Sequence, residues 1–141
     1  MSDVPLIFGS VPAGVFSRPR RAAYAVIRDR DGRVAAVEHQ GRHFLPGGGS
    51  LAHEAPEETV MREVREEFGR AVVMLGTVGS ATQHFFASDD KCWYSMDAVF
   101  FRAALQEPPI GAGETEITWL RLGQAEASFF HACHTWAALR A

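Results

Sequence analysis

Three glutamates, Glu63, Glu66 and Glu67, stand close together in a segment that reads GGSLAHEAPEETVMREVREEFG from Gly48 to Gly69. Residues three and four apart on a helix are neighbours, so on a helix these carboxylates project toward nearly the same point. At about 100° per residue they fill one arc, while Val60, Val64, Phe68 and Met61 fill the adjoining one. Anions held side by side repel unless a cation sits among them. The pattern is that of an oxygen-ligand site for Mg²⁺ or Mn²⁺. An acidic helix face is more commonly just solvated, and the EVREE run alone does not decide between the two. The wider segment adds a glycine turn before the helix, with Glu54 and Arg62 at set distances from the acids.

Written as a pattern, the segment is G-x5-E-x7-R-E-aliphatic-x-E-E-x-G, with Gly48, Glu54, Arg62, Glu63, Val64, Glu66, Glu67 and Gly69 at the fixed positions. It resembles the signature of the Nudix (MutT-like) hydrolases. The resemblance implies the Nudix fold, an α/β/α sandwich with a mixed central β-sheet. It also implies hydrolysis of a nucleoside diphosphate linked to another moiety. A diphosphate bridge is shielded from nucleophiles by its own charge; divalent metals neutralise its oxygens and acidify a bound water, leaving positioning and charge stabilisation as the protein's task. By the same resemblance Glu63, Glu66 and Glu67 are metal ligands, and the carbonyl of Gly48 adds another. Arg62 is either the orienting partner of these acids or a plain surface ion pair. Glu54 belongs to the metal shell, to the loop, or to the positive end of the helix, which favours a carboxylate. Glu66 or Glu67 is expected to do most of the catalytic work, with Glu114 and Glu116 as further acids from a later loop.

Four positions depart from the family pattern. Leu51 stands where Glu is common, His53 where Gly is, Ala55 where Ser or Thr caps the helix, and Arg70 where an aliphatic residue follows the glycine. A missing cap costs about 1 kcal/mol. These departures keep open a catalytically weak Nudix-fold module that binds nucleotides or regulates. Substrate choice lies outside the motif. Relatives acting on ADP-ribose carry a proline beyond it and those acting on dinucleoside polyphosphates a tyrosine, whereas this chain has His84-Phe85-Phe86; a coenzyme A-type signature is also missing. Nucleoside triphosphates, including oxidised ones, or another small nucleotide remain by elimination. Arg18, Arg20 and Arg21 are candidates to reach phosphate, with Arg21 taken forward, and Phe85 is the candidate to stack on a base.

The rest of the chain sets the frame. At 141 residues with 47% hydrophobic and 22% charged residues it reads as one globular domain. A net charge of −3 argues against a nucleic-acid surface, and no apolar run approaches a membrane span. Two cysteines, Cys92 and Cys133, fit a reducing, cytoplasmic setting. Dimers are common among the proteins it resembles, so a homodimer is an open expectation. His131, Cys133 and His134 invite a zinc reading, but no second ligand pair has finger-like spacing. Residues 1–20 read as an irregular arm. Strands are expected at 22–28, 33–38, 43–45, 71–79, 82–87, 92–105 and 116–122. A helix is expected from Pro56 to Phe68, and a second over 124–140 in two pieces. Asp29–Gly32 and Ser88–Lys91 are the expected turns.

Overall fold

A computed structural model describes residues 6–121, 123 and 129–141. The elements run β1 (Ile7–Phe8), β2 (Ser17–Ile27), β3 (Val34–His39), β4 (Arg42–Phe44), β5 (Gly47–Gly49), α1 (Pro56–Phe68), β6 (Val72–Ala87), β7 (Cys92–Leu105), β8 (Thr118–Leu120) and α2 (Ala132–Arg140). Five strands form a mixed sheet in the order β1-β6-β7-β2-β5, and three form a second sheet, β4-β3-β8. Side chains alternate across a strand, and β2 shows the consequence. Ala22, Tyr24 and Val26 enter one core with Met96, Phe100, Cys133 and Ala137, under α2. Ala23, Ala25 and Ile27 enter another with Phe101, Val60, Val64 and Phe68, under α1. The mixed sheet is thus sandwiched between two helices, as expected. Every residue of β2 from Ala22 to Ile27 is buried, because both faces are covered.

Several elements differ from the expected ones. The first residues are not wholly irregular: Ile7–Phe8 pairs in parallel with Thr82–Gln83, and Ser17–Arg20 belongs to β2. Segments 71–79 and 82–87 are one strand, kept on β7 by irregularities at Met74/Gly76 and Thr77/Gly79 that absorb the glycines. The Asp29–Gly32 turn forms, with Asp29 Oδ1 accepting the Asp31 and Arg33 amides. Beyond the single Arg28–Val34 bridge, however, β2 and β3 part into different sheets. The last strand shortens to β8. The final helix is seen as α2, and the expected first piece of that helix, 124–128, lies outside the described residues. Met61, placed by periodicity in the apolar arc, is 46% exposed, while Val60, Val64 and Phe68 carry the packing. Each such buried side chain contributes about 1.5–3 kcal/mol relative to leaving it in water. No helix among the described residues is long and apolar enough to cross a membrane.

Candidate active site

The Nudix-like segment folds so that one strand and one helix confront each other. The short strand β5 pairs with Ala22–Tyr24 of β2. Gly47 has φ 141°, and a Cβ there would stand 2.2 Å from the Ala23 carbonyl oxygen, so only glycine fits. At Gly48 a Cβ would lie 3.0–3.1 Å from the Glu63 carboxylate. The bare backbone therefore lets α1 bring its acids against the sheet edge. α1 opens on Pro56 and closes on Gly69, a left-handed cap at φ 66°. Ala55 supplies no capping side chain; Glu58 instead accepts the Ala55 amide at 2.9 Å, half of a capping box.

Arg62 is the hub of the site. Its Nε donates to Glu54 Oε2 at 2.7 Å and its Nη2 to Glu54 Oε1 at 3.0 Å, a two-point grip that only a planar guanidinium makes. Nη2 also donates to the Gly49 carbonyl at 3.0 Å, and Nη1 to Glu63 Oε1 at 2.8 Å. The Glu66 carboxylate lies at 3.4 Å from Nη1. Arg62 is thus no loose surface pair: it ties the loop, β5 and α1 together. The Arg62 side-chain bonds, with the Leu51 amide and the Thr59 hydroxyl, hold the Glu54 carboxyl down to about 2. Glu54 accordingly serves the loop.

The three α1 acids reach one edge but not one point. Glu67 is turned inward, where its Oε1 accepts the Gly47 amide at 3.0 Å. Burial pushes its carboxyl up to about 8, and Glu63, Glu114 and Glu66 add to the rise. Glu63 is raised as well, by burial, against the lowering pull of Arg62. Glu66 stays outside, 49% exposed. Among the described residues no three acidic, histidine or cysteine side chains converge on a single point ready for an ion. The donor chemistry nevertheless fits a hard divalent cation: oxygen ligands only, crowded anions that raise one another, and a glycine backbone that the Glu63 carboxylate approaches closely. Glu114, expected from the later loop, lines the same cleft and its amide donates to the Glu66 carbonyl at 3.0 Å. Glu116 is exposed and lines no part of it.

Glu67 and Glu114, with Gly47 and Gly48, line one part of a cleft of about 710 Å³ whose other part is aromatic, within the size range of ordinary ligand sites. Phe85 lines it, stacked on Tyr94 with ring centres 5.5 Å apart. Phe44, Phe130 and His131 complete that end, and Arg42 lies over the Phe130 ring at 4.2 Å. Arg21, taken forward as the phosphate contact, is on the wrong side of β2: its Nη2 donates to the Leu51 carbonyl at 3.3 Å, away from the cleft. Arg20 faces the cleft instead. The two-residue period of β2 carried that signal, since Arg20 falls in register with Ala22, Tyr24 and Val26. His131 was weighed only as a zinc ligand; no zinc-ready cluster exists among the described residues, and Cys133 and His134 are core.

Residues 18–135 match the family model of the NUDIX domain. The chain belongs to the Nudix family, a family of hydrolases of phosphoric anhydride bonds. Solved structures share its fold. A MutT Nudix hydrolase from Burkholderia pseudomallei is 24% identical, with a TM-score of 0.70 over 88% of this chain and 98% of that one. A MutT protein from Methanosarcina mazei is 20% identical, with a TM-score of 0.66 over 88% and 93%. An ADP-ribose pyrophosphatase from Streptococcus suis is 19% identical, with a TM-score of 0.62 over 86% and 90%. No curated protein matches the sequence.

Proposed function

We propose that this chain is a Mg²⁺- or Mn²⁺-dependent nucleotide pyrophosphohydrolase that cleaves nucleoside triphosphates, oxidised ones among them. The observation that carries this reading is the confrontation of Glu67 and Glu63 with the Gly47–Gly49 edge, beside a cleft that Glu67 and several aromatic side chains line. Glu63, Glu66, Glu67 and the Gly48 carbonyl are the groups that would hold the ion. A divalent ion bound there neutralises phosphate oxygens and lowers the pKa of water. Arg62 and Glu54 keep the α1 acids in position against β5. Glu67 or Glu66 is the group that takes the proton of the attacking water, and Glu114 is a further acid on the same cleft. Phe85 offers a stacking surface to the base. Two free cysteines fit a reducing, cytoplasmic setting.

Incubation with Mg²⁺ and a panel of nucleotides, with products separated by chromatography, tests this directly. We expect a nucleoside monophosphate and pyrophosphate, and a fall of at least about a hundredfold in turnover for Glu67→Gln. Full activity in both Glu66→Gln and Glu67→Gln refutes the assignment of these acids. Tight binding across the panel with no cleavage identifies a binding module instead.

A further inference from the structure

Two cleft residues have no role in the chemistry above. Arg20 points its guanidinium between the two ends of the cleft: Nη2 and Nε stand 3.1 and 3.2 Å from where a Gly49 Cβ would be, and the guanidinium carbon lies 5.9 Å over the Tyr94 ring. Gly49 belongs to the glycine edge that meets Glu63 and Glu67, whereas Tyr94 stacks on Phe85 at the aromatic end. Despite several carboxylates around the cleft, none among the described residues pairs with Arg20.

His131 is 5% exposed yet lines the cleft, boxed by the edges of Phe85 at 4.6 Å, Phe130 at 4.9 Å and Phe44 at 5.5 Å between ring centres. Neither of its ring nitrogens has a hydrogen-bond partner among the described residues. An unpaired ring nitrogen that lines the cleft favours ligands with a matching donor or acceptor. Burial and the nearby Arg20 hold its imidazole down to about 4, so it presents one donor and one acceptor across the neutral range.

We propose that Arg20 and His131 fix which way round a nucleotide lies in the cleft: Arg20 takes the phosphate nearest the sugar, and His131 hydrogen-bonds the base held against Phe85. The proposal rests on the nucleotide reading above and adds the residues that decide its orientation and base preference. A planar guanidinium can grip two phosphate oxygens at once. Placed beside the glycine edge, it leaves the outer phosphates facing the acids, where bond cleavage belongs. The imidazole stands among the Phe85, Phe130 and Phe44 rings, surroundings that suit a base rather than a phosphate.

Calorimetry on the otherwise wild-type protein separates the two contacts, with the α,β-methylene analogues of ATP, GTP, CTP and UTP, which resist cleavage between those phosphates, and inorganic tripolyphosphate as probes in the presence of Mg²⁺. Arg20→Gln is expected to weaken every probe, tripolyphosphate included, about tenfold while leaving the order of the four nucleotides unchanged. His131→Phe, which preserves the aromatic packing, is expected to leave tripolyphosphate untouched and to compress the spread among the four nucleotides to about twofold; His131→Asn, which restores a donor and an acceptor, is expected to recover part of it. Thermal melts confirm that each variant is folded. Unchanged tripolyphosphate affinity in Arg20→Gln, or an unchanged nucleotide order and spread in His131→Phe, overturns the proposal alone. A parent protein that binds none of the probes, or binds all four nucleotides equally, overturns it too, the former together with the nucleotide reading.

Discussion

At the residue scale the site depends on one side chain with four partners. Arg62 grips Glu54 with two nitrogens while touching Glu63 and the Gly49 carbonyl. A lysine has the charge but not the fork, and can satisfy only part of this set. Arg62→Lys is therefore expected to lower kcat by about ten- to a hundredfold, the usual effect of losing a group that orients metal ligands, with the circular dichroism spectrum unchanged. Wild-type kcat in that variant would return Arg62 to the status of an ordinary ion pair. His53 poses the opposite case. It sits at φ 67°, in left-handed backbone that disfavours a side chain, at the position where the family pattern has glycine. His53→Gly is expected to raise unfolding free energy by about 1 kcal/mol in urea titration. No gain in midpoint would mean that the loop already compensates the strain.

At the element scale the glycine edge and the helix stop do the positioning. Gly48 sits 3.0–3.1 Å, measured from an added Cβ, from the Glu63 carboxylate, and its φ is ordinary, so alanine is tolerated by the backbone but not by the acid opposite. Gly48→Ala is expected to reduce activity at least about tenfold, displacing a ligand as a misplaced group does, at nearly unchanged melting temperature. Gly69 combines φ 66° with an added Cβ 2.0 Å from the Gly111 carbonyl oxygen. Gly69→Ala is expected to destabilise the fold by more than about 1–2 kcal/mol, since strain adds to clash; a smaller loss in urea titration argues that the 110–113 loop shifts aside. The helix, its proline start and its glycine stop were all legible in the sequence, because local chemistry decides them. The destination of the acids was legible only in part. Helical spacing puts Glu63, Glu66 and Glu67 on one side, but Gly47, distant in sequence, draws Glu67 inward, and Arg62, itself held by Glu54 and the Gly49 carbonyl, draws Glu63 toward the loop. Strand alternation distinguishes Arg20 from Arg21: only Arg20 shares the face of Ala22, Tyr24 and Val26 and lines the cleft. The merging of two expected strands into β6 was beyond local rules, because its irregularities are fixed by pairing with β7.

At the scale of the whole molecule, buried titratable groups of opposite sense shape stability against pH. His131 and His134 are neutral in the folded protein, pushed down mainly by burial, His131 to about 4. Unfolded, they take up protons near 6.5, so between those values the unfolded chain binds more protons and stability falls as pH drops, at up to about 1.4 kcal/mol per pH unit for each histidine. Glu67 works in reverse. Its folded carboxyl lies near 8 and its unfolded value near 4.5, so the folded protein holds the extra proton in that window and stability falls as pH rises through it. Below pH 6.5 the two histidines outweigh the single glutamate, and above it the glutamate acts alone. Without divalent ions, unfolding free energy is thus expected to peak near pH 6.5 and to decline toward pH 8. Glu67→Gln removes the proton that drives the upper limb, leaving a plateau from pH 6.5 to 8 in chemical denaturation at a series of pH values. A decline that persists unchanged in Glu67→Gln would place the responsible group elsewhere and remove the case for a buried, proton-holding Glu67 at the centre of the site.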